Sequence, residues 1–125
     1  MTEIVSVSGE DFKGTAHQDG TTFNLVLKGN ADYAALDALE MLLTRSHSEA
    51  VRLGAKDVVV DLRQLEFMNS SCFKCVLSWI NEIQELDAES RYQVNFLSSM
   101  QLHWQKRSLH SLRCFAVELI TITES

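Results

Sequence analysis

The stretch from Val58 to Leu86 constrains the fold most. Val58-Val59-Val60-Asp61-Leu62 is an apolar, β-branched run bounded by charge, the pattern of a strand buried on both faces. Arg63 to Met68 make a connection, Asn69-Ser70-Ser71 follow, and Phe73 to Leu86 are amphipathic at helical spacing. Asn and Ser cap helices because a short side-chain oxygen accepts an unpaired first-turn amide proton. A serine pair therefore stands at a helix N-terminus, where the backbone dipoles leave partial positive charge and an anion is tolerated. Such a serine is placed to be phosphorylated or to meet an anion; on the plainer reading it only caps the helix.

The remaining elements fit around this unit. Ile4, Val5 and Val7 are followed by a weakly patterned stretch, Phe12 to Gln18. Asp19-Gly20 marks a tight turn, and Phe23 to Leu27 alternate like a strand with one buried face. These pieces are expected to form an antiparallel pair, with Gly29 ending the strand and Asn30 or Asp32 capping the next helix. That helix reads from Tyr33 to Leu53, with Leu36, Leu39, Leu43, Ala50 and Leu53 on one face and Gly54 as its stop. His47 falls near its polar side, as a solvated residue. Tyr92 to Leu97 make another strand, Ser98-Ser99 are expected to cap a third helix from about Gln101 to Leu112, and Val117 to Ile122 a last strand. Strands alternating with helices imply crossovers and a largely parallel sheet. The expected architecture is one α/β domain, residues 1–125, with a mixed, largely parallel sheet of four to five strands and three to four helices.

Composition removes several function classes. A 125-residue chain with 46% hydrophobic residues has enough material for one core. A net charge of −6 argues against nucleic acid or an anionic membrane as partner. No apolar run approaches the roughly 20 residues that span a bilayer. The N-terminus lacks the basic start and apolar core of a signal peptide. Three cysteines do not make a disulfide framework, and the expected compartment is a reducing cytoplasm.

Three chemistries compete at the second helix. Cys72 and Cys75 form a Cys-x-x-Cys pair at a helix start, the arrangement that lowers a thiol pKa in thioredoxin-like sites; that fold also needs a cis-proline, and this chain has no proline. Structural zinc usually draws on two close ligand pairs, whereas Cys72/Cys75 is a single pair and Cys114, His17, His47, His103 and His110 are scattered. A nucleophilic Ser70 or Ser71 needs a base, and the glycines of a nucleophile elbow are replaced by Met68 and Cys72. The expectation is a non-enzymatic protein without metal or cofactor. Phe73, Val76, Leu77, Ile80 and Ile83 form the helix's core stripe. Cys72, Cys75 and Trp79 form a neighbouring stripe that either meets a protein partner or packs under another helix. Lys106, Arg107 and Arg113 form a local basic cluster on the third helix.

Leu65-Glu66-Phe67-Met68-Asn69-Ser70-Ser71 resembles the signature of STAS domains, the sulfate transporter and anti-sigma-factor antagonist family. There a strand ending in Asp-Leu leads to Leu-x-Phe-Met-Asp-Ser-Ser-Gly-Leu at a helix start. Leu27-Lys28-Gly29-Asn30-Ala31-Asp32 resembles the second landmark, Leu-x-Gly-x-Leu-Asp, at about the family spacing. The resemblance implies a signalling protein of the cytoplasm that binds a serine kinase acting as anti-sigma factor and so bears on transcription. Ser70 matches the serine which that kinase phosphorylates, with Ser71 second; phosphate blocks binding and a phosphatase restores it. Together with the Cys72, Cys75 and Trp79 stripe, the expected partner surface takes in Asn69, Ser70 and Ser71 with Asn30 and Asp32.

Two positions depart from the pattern. Asn69 replaces the family Asp, removing a charge beside the serine, and Cys72 replaces a glycine, adding a Cβ where a kinase approaches the backbone. They open a second reading, a STAS-type scaffold that binds without switching. A third is a domain holding an anion or small molecule at the Ser70 helix end.

Overall fold

The structure, a computed structural model, describes residues 2–125. Six strands form one sheet in the spatial order β1 to β6: β1 (Thr2–Ser8), β2 (Phe12–Asp19), β3 (Thr22–Ala31), β4 (Asp57–Met68), β5 (Gln93–Ser98) and β6 (Ile120–Glu124). β1, β2 and β3 form an antiparallel meander, and β3 to β6 run parallel. The crossovers are α1 (Leu36–Arg52), α2 (Ser70–Gln84) and α3 (His103–Phe115). Strand order never reverses, so right-handed crossovers put all three helices on one face of the sheet.

Burial alternates accordingly. Val5, Phe12, Leu25, Val58, Val60, Leu62, Val94 and Phe96 are buried beneath the helices. Val26, Val59, Asp61 and Asn95, on the opposite face, are only half-buried. The central strand is thus buried on one face and not on two. Its valine run is continuous because Val59 sits among half-covered neighbours on the open face.

The sheet has more strands than the expected four to five because the weakly patterned N-terminal stretch supplies two strands, β1 and β2. The β2–β3 turn does fall at Gly20, with Gly20 (φ +64°) and Thr21 between the paired Asp19 and Thr22. β3 does not end at Gly29 but continues to Ala31. Gly29 itself lies at φ +93° against the Asp11 carbonyl, a position that no side chain fits. A 3-10 turn, Tyr33–Ala35, capped by Asp32, precedes α1. In α1 the buried face is Leu39, Leu42, Leu43, Ser46 and Ala50; Leu53 is exposed, and Gly54 at φ +69° stops the helix.

Later boundaries also move. β4 absorbs Arg63 to Met68, and α2 starts at Ser70 rather than Phe73. α3 starts at His103 and has no side-chain cap: Ser98 is buried in β5, and the Ser99 hydroxyl accepts a bond from the Gln101 amide one turn earlier. The last strand begins at Ile120, leaving Val117 in an exposed loop.

The long β4 creates a problem that α3 solves. Pairing with β5 stops at Asp61, while pairing with β3 continues to Met68. The buried Gln105 side chain donates to the carbonyls of Leu62 and Leu65 and accepts from the Ser99 amide. One amide group thus satisfies β4 carbonyls that β5 no longer reaches, and fixes the strand that delivers Ser70.

Candidate functional site

The β3 and β4 ends form one corner of the molecule. Asn30 pairs with Phe67 and Ala31 with Met68, and the Asn69 amide donates to the Ala31 carbonyl at 2.9 Å. Asp32 Oδ1 accepts from the Ala34 amide at 3.0 Å. Asn30 is held by Asp11, its amide donating to the Asp11 carbonyl and its side chain to the carboxylate. Asn30, Asp32, Asn69, Ser70 and Ser71 are thereby brought together by backbone pairing.

Within this corner Asn69 is the helix cap. Its Oδ1 accepts from the Cys72 amide at 2.8 Å and its carbonyl from the Phe73 amide at 3.0 Å. Ser70 is the first helical residue; its side chain is exposed and its hydroxyl has no hydrogen-bond partner among the described residues. The serine pair is therefore not consumed in capping. The first-turn amides of Ser70 and Ser71 have no hydrogen-bond partner among the described residues and lie at the positive end of the helix dipole.

Cys72 and Trp79 lie in the core, 0% and 3% exposed, so for these two residues the structure bears out the packing reading of their stripe and not the partner-surface reading. Cys72 Sγ donates to the Asp32 carbonyl at 3.4 Å and thereby ties α2 to the chain after β3. Its side chain is buried and so does not present the obstruction beside Ser70 that a cysteine in place of the family glycine had suggested. Cys75 is half-buried beside a groove of about 400 Å³ between α1 and α2, where Ser71, Lys74, Glu40 and Glu82 also lie.

The thiols are unsuited to redox work. Burial is the main cause raising the Cys72 pKa, with Asp32 adding to it, and burial raises Cys75 to about 11, helped by Glu40. A reactive thiol needs the opposite shift. Among the described residues no cluster of three or more His, Cys, Asp or Glu has metal-binding geometry.

His47 is not a solvated helix residue. Its Nδ1 lies 2.7 Å from the Tyr92 hydroxyl, which accepts from Trp79 Nε1 at 2.9 Å. This chain of contacts ties α1, α2 and the entry to β5 together, at the end of the sheet opposite the Ser70 corner. Burial lowers the His47 pKa, only partly offset by Glu82.

Two exposed aromatics at this corner escape notice in the sequence. Tyr33 is 81% exposed in the turn after β3, and Phe67 is 47% exposed near the end of β4. Phe67 stands inside the serine motif, but alternation through β4 becomes readable only once the strand is known to extend to Met68. Tyr33 carried no periodic signal because it lies in a turn.

No protein-family model matches the sequence, and no curated protein matches it. Solved structures do. An anti-sigma factor antagonist from Mycobacterium paratuberculosis is similar with a TM-score of 0.65, over 94% of this chain and 89% of its own, at 14% identity. The Bacillus cell fate determinant SpoIIAA in its phosphorylated form is similar with a TM-score of 0.55, over 88% of this chain and 90% of its own, at 18% identity. The chain therefore has the STAS fold that the two sequence landmarks implied. No helix among the described residues is long and apolar enough to cross a membrane.

Proposed function

We propose that this protein is a non-enzymatic signalling regulator that docks on a protein partner through the corner around Ser70. The partner class is a serine kinase of the anti-sigma type, in the cytoplasm, with phosphorylation of Ser70 as the off-switch and a phosphatase as its reversal. The observation that carries the reading is the division of labour at the α2 start: Asn69 makes the cap, leaving the adjacent Ser70 hydroxyl unbonded and exposed. Tyr33 and Phe67 supply apolar contact area beside it, with Asn30, Asp32, Asn69 and Ser71 as its polar surround. A phosphoryl group adds about −1.5 to −2 charges at that surface, and the first-turn amides accommodate it without unfolding the domain. The likeness to an anti-sigma factor antagonist and to a phosphorylated cell fate determinant supports the same reading.

The inward course of Cys72 favours the switching form over the non-switching scaffold, because it leaves the approach to Ser70 clear. Mass spectrometry of the protein from its native cells is the test. Phosphate on Ser70 that varies with growth condition supports the switch; complete absence from Ser70 under every condition removes it.

A further inference from the structure

The acidic character of the protein breaks down at one place. His103, Lys106, Arg107, His110 and Arg113 recur at three- and four-residue spacing along the exposed side of α3, opposite buried Gln105, Leu109 and Leu112. Although the chain carries 17 carboxylate residues, Lys106, Arg107 and Arg113 make no ion pair among the described residues. Most other Lys and Arg are likewise without an ion pair among the described residues, so it is the recurrence of these cations on one side of α3 that marks a local positive field on a protein of net charge −6.

These cations border an open groove of about 650 Å³, whose other wall is β6, contributing Ile122 and Glu124. β6 is the last strand of the sheet, and no further strand pairs with it among the described residues. The Leu119 carbonyl and the Ser125 amide bond toward β5. In an evenly spaced parallel ladder the alternate residues Thr121 and Thr123 therefore do the same, and Ile122 and Glu124 turn their backbone amides and carbonyls outward. The edge is not blunted by proline or an inward lysine, two common ways of protecting such a strand.

We propose that β6 and the cationic side of α3 form a second docking site, separate from the Ser70 corner, for an extended acidic segment of a partner protein. The segment adds as a seventh strand beside β6, its backbone pairing with Ile122 and Glu124, and its alternate carboxylates reach Lys106, Arg107 and Arg113. Backbone pairing supplies the affinity and the cations supply the preference for acidic sequence. Charge complementarity commits the site to a partner segment over a second copy of this chain. A second β6 edge would bring its own α3 cations against those of the first.

The probe is a soluble synthetic peptide alternating glutamate with threonine and valine, followed by fluorescence anisotropy and by amide exchange of the full chain. Saturable binding is expected, weakening about fivefold or more when salt rises from about 0.05 M to about 0.5 M. The Ile122 and Glu124 amides are expected to gain exchange protection. The variant K106E/R107E/R113E, whose changes are all on exposed positions, should lose about tenfold in affinity; an unchanged circular dichroism melt verifies its fold. An alternating lysine peptide, or the acidic peptide N-methylated along its pairing edge, should not bind. Absence of saturable binding at low salt, protection elsewhere than β6, or equal affinity of the variant overturns the proposal. So does concentration-dependent dimerisation that protects the same amides without peptide. None of these readouts involves Ser70, so the site stands or falls independently of the phosphorylation switch.

Discussion

The Tyr92 hydroxyl lies between two side chains from different helices, 2.7 Å from His47 Nδ1 and 2.9 Å from Trp79 Nε1. The indole can only donate, so the Tyr92 oxygen accepts from Trp79, while the direction of its bond with His47 Nδ1 is set by the imidazole tautomer. Burial penalises the charged imidazole and lowers the His47 pKa, with Glu82 offsetting only part of that shift. The unfolded chain therefore takes up the His47 proton at higher pH than the folded one. Stability contributed by neutral His47 is complete above the ordinary histidine range and declines as pH falls through it toward the lowered folded pKa. Urea midpoints should fall from about pH 7.5 to about pH 5.5 in the wild type. The slope should flatten in His47→Gln, which keeps polarity but does not titrate.

Gln105 tests whether the β4 extension depends on α3. Gln105→Leu removes both donors to the Leu62 and Leu65 carbonyls and the acceptor for the Ser99 amide. A loss of about 2–3 kcal/mol in urea unfolding is expected, since buried groups are left unpaired. Gln105→Glu places a carboxylate against two carbonyls and should cost more at neutral pH, with partial recovery in acid.

Gly29 and Gly20 both have positive φ but differ in surroundings. A Cβ at Gly29 collides with the backbone carbonyl of Asp11, while a Cβ at Gly20 meets nothing within 4 Å. Gly20→Ala should cost only the left-handed penalty of about 1–2 kcal/mol. Gly29→Ala should cost about 3 kcal/mol or more, because backbone has to move. Equal losses by differential scanning calorimetry would show that the β2–β3 register yields at Asp11.

The three thiols should separate by reactivity. Cys114 is exposed, Cys75 half-buried with its pKa raised to about 11, and Cys72 fully buried. Iodoacetamide at about pH 8 should label Cys114 first and leave Cys72 intact until the protein unfolds. A Cys72–Cys75 disulfide forming readily under mild oxidant would contradict this order.

The sequence made the strand-to-helix handover legible because its signals are local: a β-branched run, a capping residue and a helical stripe sit within one stretch. Gly20 and Gly54 were readable for the same reason, each being a stop between two periodic segments. What escaped depends on pairing at long range. Nothing near Leu62 reveals that β5 ends before β4, so Gln105 reads as an ordinary polar helix residue. His47 looks solvated until Tyr92, 45 residues away, is brought beside it. Cys72 and Trp79 share a stripe that periodicity could not orient, and the contacts with the Asp32 carbonyl and Tyr92 turn it inward.

Substitutions at adjacent positions separate structure from signal at the proposed switch. Asn69 carries the cap bond to the Cys72 amide, whereas Ser70 has an exposed side chain and an unbonded hydroxyl. Asn69→Ala should therefore lower stability by about 1 kcal/mol. Ser70→Asp should leave stability within about 0.5 kcal/mol of the wild type, because a carboxylate at the first helical position meets the positive end of the dipole. Its effect belongs on the surface: partner affinity should fall for Ser70→Asp and stay near wild type for Ser70→Ala, measured by calorimetry on the purified partner. Equal affinities for the two Ser70 variants would mean that charge at this corner does not control docking, whatever the stability data show.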